Sequence, residues 1–139
     1  MKRNSEILIH SFIEDKVSQK FLKESVKKIL HVLPACTDRP KQLDGLALIL
    51  VSPSVIKKLN YYWRKENKIT TVLTFSEGDI FLCPQEIKKQ ALKRKISLKK
   101  FYQLLLIHSI LHLFGYTHDK KNDREKMENL ENKLLAKIQ

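Results

Sequence analysis

The sequence is poor in the features that mark secreted and membrane proteins. Its 139 residues include only two cysteines, Cys36 and Cys83, which can form at most one disulfide and therefore exclude a disulfide-rich secreted scaffold. No apolar run approaches the ~18–20 residues needed to span a bilayer. The opening MKRNSEILIH is charged and lacks the long apolar segment of a secretory signal. We therefore expect a soluble, cytoplasmic protein.

Acidic residues are also scarce. The chain has 15 Asp plus Glu against 27 Lys plus Arg, which gives a formal net charge of +12 at pH 7. This excess predicts a polyanionic partner, with nucleic acid first and an anionic membrane surface second. Disorder is disfavoured because 42% of the residues are hydrophobic and recur at regular intervals. The length predicts one domain over residues 1–139.

The hydrophobic periodicity predicts an α/β (α+β) fold. Only Ser76 and Glu77 separate the last two expected strands, so these strands should be antiparallel. We expect a single mixed sheet of about four strands, mostly parallel with one antiparallel strand, packed with about five helices. The expected strands are 6–13, 46–51, 70–75 and 78–83; the expected helices are 15–33, 53–63, 84–94 and most of the chain after Ser97; the expected loop is 35–44.

Two histidines lie four residues apart on the long helix that is expected to start at Ser97. His108 and His112 are separated by ~6 Å along the helix axis, so both rings can bind one ion. Gly115 is typical of a helix end and allows the chain to bring His118 back over that end. The two helical histidines share a stripe that should otherwise be buried. Its apolar members are Phe101, Leu104, Leu105 and Leu111.

Three neutral imidazoles with an open fourth position are typical of a catalytic zinc site, since structural zinc sites usually have four protein ligands. The alternative is that the histidines are hydrogen-bonded core residues. A metalloprotease motif, H-E-x-x-H, would place a general base directly after His108, but Ser109 stands there and disfavours a peptidase. The chemistry open to the ion is activation of a bound water and stabilisation of a developing oxyanion.

A second group of functional side chains precedes the third expected strand. Arg64 and Lys65 follow three consecutive aromatic residues, Tyr61, Tyr62 and Trp63. An arginine can bind a phosphate through two parallel hydrogen bonds, and exposed aromatic rings can stack on unpaired bases. The alternative is that Tyr62 and Trp63 fill the core while the two cations cap the C-terminus of the helix. The sequence alone leaves both interpretations open.

Three segments together resemble one known family. The segment HSILHLFGYTH (108–118) resembles the H-G-x-L-H-L-x-G-Y-D-H signature of the YbeY family of bacterial metal-dependent endoribonucleases. The segment LNYYWRKENKITTVLTF (59–75) is similar to the family's L-N-x-x-Y-R-x-x-x-x-x-T-D-V-L-S-F, and GDIFLC (78–83) is similar to the strand that follows it. These matches come in the family's order and spacing, so the resemblance covers most of the chain from about Leu46 onward.

The resemblance implies a site of four residues. His108, His112 and His118 would bind one Zn²⁺ in a cleft beside the sheet, and Arg64 would lie near the RNA phosphate. The implied activity is cleavage of single-stranded RNA in the maturation of the 16S ribosomal RNA 3′ end and in late-stage ribosome quality control. The implied partners are ribosomal RNA, the ribosome or its small subunit and an associated protein factor, with no membrane.

The chain departs from the family pattern near both motifs. Thr71 and Thr117 stand where the family has Asp, and Ser109 replaces a Gly. Carboxylates near a metal site often orient its histidines, so their loss bears on metal affinity and rate. Asp79 and Asp119 are the candidate substitutes.

Two rival functions remain beside the nuclease hypothesis. One is a non-catalytic RNA-binding ribosome assembly factor in which zinc is structural. The other is a zinc hydrolase of peptides or small molecules, which the missing Glu and the excess of positive charge disfavour.

Overall fold

The computed structural model describes residues 6–14, 16–37 and 45–139. Every predicted strand and helix is present in them, and the predicted loop over 35–44 lies mostly outside the described residues. The elements are β1 (Glu6–Ser11), α1 (Gln19–Val32), a 3-10 helix (Leu33–Ala35), β2 (Gly45–Leu50), α2 (Pro53–Arg64), β3 (Val72–Thr74), β4 (Asp79–Leu82), α3 (Pro84–Arg94), α4 (Leu98–Leu113) and α5 (Lys121–Ile138).

The four strands form one mixed sheet in the order β1-β2-β4-β3. β2 pairs in parallel with both β1 and β4, whereas β3 pairs antiparallel with β4. A tight turn closes the β3–β4 hairpin, in which Gly78 donates its N–H to the Phe75 carbonyl at 2.9 Å. The predicted fold class, a mostly parallel four-stranded sheet with one antiparallel strand and five helices, is confirmed.

β2 lies in the interior of the sheet, as its apolar sequence GLALIL predicts. Leu46, Leu48 and Leu50 are buried, and the residues between them are half-buried, so neither face of the strand is exposed. Continuous apolar runs of this kind are typical of parallel strands.

Side-chain caps and prolines set the ends of the helices. Ser18 accepts the backbone N–H three residues further on, so α1 starts four residues later than the apolar pattern predicts. Ser52 caps α2 in the same way, and Pro53 takes the first helical position as predicted. Pro34 ends α1 through the short 3-10 helix. No helix in the described residues is long and apolar enough to cross a bilayer.

The described residues divide into two compact units, and the first contains the sheet. It comprises the described residues of 1–17 and 43–101, and therefore includes α2, α3 and the start of α4. Cys83 is fully buried in its core, where burial raises the pKa of the thiol. This cysteine therefore packs in the core. Its buried neighbours in one cluster are Val51, Ile56 and Leu73.

The second unit is helical. It comprises the described residues of 18–42 and 102–139, and it contains α1, most of α4 and α5. α1 packs against α5. The expectation of one domain over 1–139 stays a prediction. The buried apolar side chains of α1 and α5 include Leu22, Val26, Ile29, Met127, Leu134 and Ile138.

Gly78 has no room for a larger side chain. Its φ is 105°, and a Cβ atom there would lie 2.6 Å from the backbone oxygen of Gly45. We expect Gly78→Ala to lower the free energy of unfolding by about 2 kcal/mol or more, because a left-handed conformation costs ~1–2 kcal/mol and the clash adds to it. The exposed neighbour Glu77 provides the control, since Glu77→Ala should change stability by less than ~0.5 kcal/mol. Urea denaturation of both variants checks this, and equal effects would contradict it.

Candidate metal centre

Two of the three histidines lie on the more open side of α4. The helix is apolar nearly all round, and most of it is buried. The sequence predicts that the stripe carrying these histidines is buried. That prediction is wrong in part, because four residues of the stripe are only half-buried. Its half-buried residues are Leu104, Leu105, His108 and His112. The side chain of His108 is 28% exposed, which leaves its ring accessible to an ion.

A Schellman turn ends α4 and reverses the chain. Tyr116 donates its N–H to the Leu111 carbonyl at 3.1 Å, and Gly115 donates its N–H to the His112 carbonyl at 3.0 Å, which are the two bonds that define this motif. Gly115 adopts a φ of 92°, as the motif requires. The buried Tyr116 also hydrogen-bonds through its hydroxyl to Thr37 Oγ1, which fixes the segment that follows. The predicted helix end at Gly115 is confirmed.

His108, His112 and His118 converge beyond this turn. Their candidate ligand nitrogens all lie within 4.8 Å of one another. The Nε2 atoms of His108 and His112 are 3.1 Å apart. The rings of His108 and His118 stack with their centroids 4.5 Å apart, while His112 meets both rings edge-on. The structure thus brings together all three histidines, whose role as ligands stays a prediction.

The donor set fits a metal ion that accepts nitrogen ligands. Nitrogens bound at ~2.0–2.1 Å to one tetrahedral ion lie about 3.3 Å apart. The separation of 3.1 Å between His108 and His112 is close to that spacing, and no pair in the cluster exceeds it by more than ~1.5 Å. Imidazole suits Zn²⁺ and related transition metals, whereas Mg²⁺ and Ca²⁺ prefer oxygen ligands. Within the part of the chain that the structure describes, this is the one group of three or more His, Cys, Asp or Glu side chains arranged to hold an ion.

Glu131 on α5 is a site residue that the sequence analysis missed. His108 Nδ1 lies 3.2 Å from Glu131 Oε1, and the glutamate side chain is only 18% exposed. When His108 Nδ1–H donates to this carboxylate, the lone pair of the neutral ring is on Nε2, the atom that faces His112. A carboxylate that fixes the tautomer and orientation of a ligating histidine is a recurrent feature of metal sites.

A signal for Glu131 was present in the sequence. The residue occupies the apolar face of α5, at helical spacing from Met127, Leu134 and Leu135, which are all buried. A carboxylate on such a face needs a polar partner, because burial without one is costly. The periodicity alone does not say that the partner is His108, which is 23 residues away in the chain.

The surroundings of His118 favour its neutral form. Burial lowers the pKa of this imidazole below its ordinary value of 6.5, and the neighbouring His108 lowers it further. The carboxylates of Glu131 and Asp119 act in the opposite direction without reversing the shift. Only a neutral imidazole can bind a metal ion, so the lowered pKa keeps the third ring in the ligating form at pH 7.

Arg64 lies in the first unit, whereas the three histidines lie in the second. It is the last residue of α2 and is exposed, and Lys65 ends the helix in the left-handed conformation with a φ of 60°. Tyr61, Tyr62 and Trp63 are exposed as well. The interpretation that Tyr62 and Trp63 fill the core is therefore wrong.

The residues that depart from the family pattern have different surroundings. Thr71 and Ser109 are buried, and the Ser109 hydroxyl has no hydrogen-bond partner. Thr117 is half-buried. Of the two candidate substitutes, Asp119 is exposed but close enough to His118 to raise its pKa, and Asp79 is exposed at the start of β4 in the first unit. Asp119 therefore interacts electrostatically with His118.

A model of the endoribonuclease YbeY family matches residues 9–139. The chain belongs to this family. The YbeY resemblance of the sequence motifs is confirmed, and with it the enzyme class, a hydrolase that acts on RNA.

Several YbeY relatives share most of the chain. The endoribonuclease YbeY of Phytoplasma australiense is 36% identical over 111 residues, which cover 70% of this chain and 77% of that protein. The endoribonuclease YbeY of Phytoplasma mali (strain AT) is 31% identical over 140 residues, which cover 96% and 88%. The endoribonuclease YbeY of Buchnera aphidicola subsp. Baizongia pistaciae is 39% identical over 100 residues, and this match spans 65% of that relative's length.

A solved structure is similar to this YbeY family member. The solution structure of TM1509 from Thermotoga maritima gives a TM-score of 0.68 at 26% identity, and the match covers 95% of this chain and 88% of that one. The likeness agrees with the mixed-sheet fold described above.

Removal of the Glu131 carboxylate should weaken metal binding. We expect Glu131→Ala to lower the Zn²⁺ affinity about 10- to 100-fold, because His108 loses the group that orients it. Glu131→Gln should fall between this variant and the wild type, since the amide oxygen can still accept a hydrogen bond. Competition with a chromophoric chelator measures the affinity.

The control for this prediction is an exposed glutamate on the same helix. Glu128→Ala removes the same charge from α5 at an exposed residue, and should bind Zn²⁺ like the wild type. Equal affinities for the Glu131 and Glu128 variants would contradict the orienting role.

Acid should destabilise the metal-free protein through His118. Folding lowers the pKa of this ring, so the unfolded chain binds the proton more tightly than the folded one. The free energy of unfolding should therefore fall as the pH drops from above 6.5 through the lower folded-state pKa. Urea denaturation from pH 7.5 to pH 5 should show a shallower fall for His118→Gln than for the wild type. Identical pH profiles would refute this contribution.

Proposed function

We propose that this protein is a zinc-dependent endoribonuclease that cleaves single-stranded ribosomal RNA. The observation that carries the proposal is the convergence of His108, His112 and His118 in a member of the YbeY family. The relatives named above are endoribonucleases, and the net charge of +12 suits an RNA substrate.

Zinc is the ion that the donor set favours. His108, His112 and His118 would hold the ion through three imidazole nitrogens, and a set of three protein ligands is typical of catalytic rather than structural zinc. An ion bound by these residues would supply Lewis-acid stabilisation of the negative charge on a phosphate oxygen.

The chain's own residues prepare the site for that chemistry. Glu131 is placed to accept a hydrogen bond from His108 Nδ1–H, and in that tautomer the Nε2 lone pair faces the cluster. The lowered pKa of His118 keeps its ring neutral. Arg64, exposed at the end of α2, would bind the phosphate through its guanidinium and offset the charge that develops in the transition state.

The positive charge of the chain would supply the part of RNA binding that is independent of sequence. Each cation paired with a phosphate releases a counterion, so the affinity for RNA should fall steeply with added salt. We place the activity in the cytoplasm, on the ribosome or its small subunit with an associated protein factor. The proposed roles are maturation of the 16S ribosomal RNA 3′ end and late-stage ribosome quality control.

The direct test is cleavage of a single-stranded RNA from the 3′ end of small-subunit ribosomal RNA by the Zn²⁺-loaded protein. His112→Ala should reduce cleavage to background because it removes a ligand. Arg64→Ala should slow cleavage about 100- to 1,000-fold, the usual cost of removing one group that stabilises transition-state charge. Arg64→Lys should fall between Arg64→Ala and the wild type, since lysine keeps the charge but not the two-pronged geometry.

Matched controls separate these effects from changes in fold or charge. His31→Ala and Arg94→Ala replace exposed residues of the same types and should cleave like the wild type. The nuclease proposal fails if the wild type cleaves no faster than both site variants. An assembly factor with a structural zinc would bind RNA without cleaving it above background.

A further inference from the structure

One end of α2 exposes three large aromatic rings in a row. The exposed fractions are 57% for Tyr61, 69% for Tyr62 and 61% for Trp63. Large rings are normally buried, and a cluster of exposed ones indicates a surface that meets another molecule. We refer to these three side chains, with Arg64 and Lys65, as the α2 aromatic surface.

The charge on this helix indicates which molecule that is. The sequence PSVIKKLNYYWR of α2 contains no acidic residue. Lys57 and Lys58 are exposed and lie four residues before Tyr61 and Tyr62, so each cation lies about one turn from a ring. Aromatic rings interleaved with cations match a nucleic acid strand, whose bases stack on the rings while its phosphates meet the cations.

The surface is held in place by contacts within the first unit. Trp63 packs edge-to-face against Tyr62 at 5.0 Å and against Phe75 at 5.7 Å between ring centroids. The buried Asn60 donates its Nδ2–H to the Lys68 carbonyl at 3.0 Å and so ties the loop after α2 back to the helix. A surface that is ordered in advance loses little conformational entropy on binding.

We infer that the α2 aromatic surface binds unpaired RNA by stacking bases on Trp63 and its neighbouring tyrosines. This inference rests on the proposed function, which identifies the bound strand as RNA. It adds a physical reason why the protein would prefer single-stranded RNA to duplex RNA. Bases in a duplex are already stacked on each other, whereas unpaired bases offer a free face to an aromatic side chain.

A second copy of the chain is a poor occupant. A symmetric contact would set Lys57, Lys58, Arg64 and Lys65 of one copy against the same four cations of the other. Like charges brought together in this way oppose association.

The single tryptophan of the chain gives this surface its own probe. Trp63 is the only Trp in the sequence, so intrinsic fluorescence reports this site alone. We expect titration of a full-length His112→Ala protein with a single-stranded RNA oligomer to quench that fluorescence, with no cleavage to complicate the measurement. A matched abasic oligomer, which keeps the phosphates but lacks bases, should cause little quenching.

Anisotropy of a labelled RNA oligomer tests the role of each ring in the same background. Trp63→Ala and Tyr62→Ala should each weaken binding by ~5- to 150-fold, the usual range for a stacked base. Trp63→Phe should restore most of the affinity because it keeps a ring. Leu92→Ala is the matched control, since it removes a side chain that is 74% exposed on α3 and should leave binding unchanged.

The outcomes separate this inference from the proposed nuclease function. Quenching and ring-dependent affinity in His112→Ala, together with a Zn²⁺-loaded wild type that fails to cleave RNA, would support the surface and refute only the nuclease. Normal cleavage with no quenching, and with Trp63→Ala binding like the wild type, would overturn the surface alone. Equal affinity for duplex RNA, quenching only by anionic phospholipid vesicles, or ring-dependent self-association in sedimentation would overturn it as well.

Discussion

The candidate metal centre depends on the reversal of the chain at Gly115. A helix can place only His108 and His112 side by side, and the third ring must come from outside it. The left-handed Gly115 and the two Schellman hydrogen bonds turn the chain directly after His112, and the Tyr116 hydroxyl fixes the returning segment. Without this turn the chain would offer two ligands, and two imidazoles seldom hold a metal ion in a protein.

The three histidine rings can bind an ion only in the right protonation state and orientation. A hydrogen bond to Glu131 favours the His108 tautomer with the proton on Nδ1, and burial beside His108 lowers the pKa of His118 and favours its neutral form. These contacts bear on the departures of the chain from the family pattern. Thr117 replaces a family Asp near the third histidine, but a carboxylate still reaches the cluster from α5, where it contacts a different ring. Asp119 adds a second negative charge close to His118.

Local signals made much of the fold and part of the site predictable. The Ser52-Pro53 pair, the short turn before Gly78 and the four-residue histidine spacing each act over a few residues, and the structure agrees with all three. Glu131 was missed because its partner lies 23 residues away, on another helix. The exposure of Tyr62 and Trp63 was likewise left open, since helical spacing places them on a face without saying what covers that face. Long-range packing decides both questions, and periodicity carries no information about it.

We propose that three histidines hold one zinc ion, and the metal stoichiometry of the purified protein tests this claim. Protein dialysed against Zn²⁺ and then against buffer should retain about one equivalent by elemental analysis, and a strong chelator should lower its thermal stability. His112→Ala should retain little metal and should be insensitive to the chelator, while His31→Ala should behave like the wild type. A wild-type protein that retains less than about half an equivalent and keeps its stability in chelator would contradict the claim.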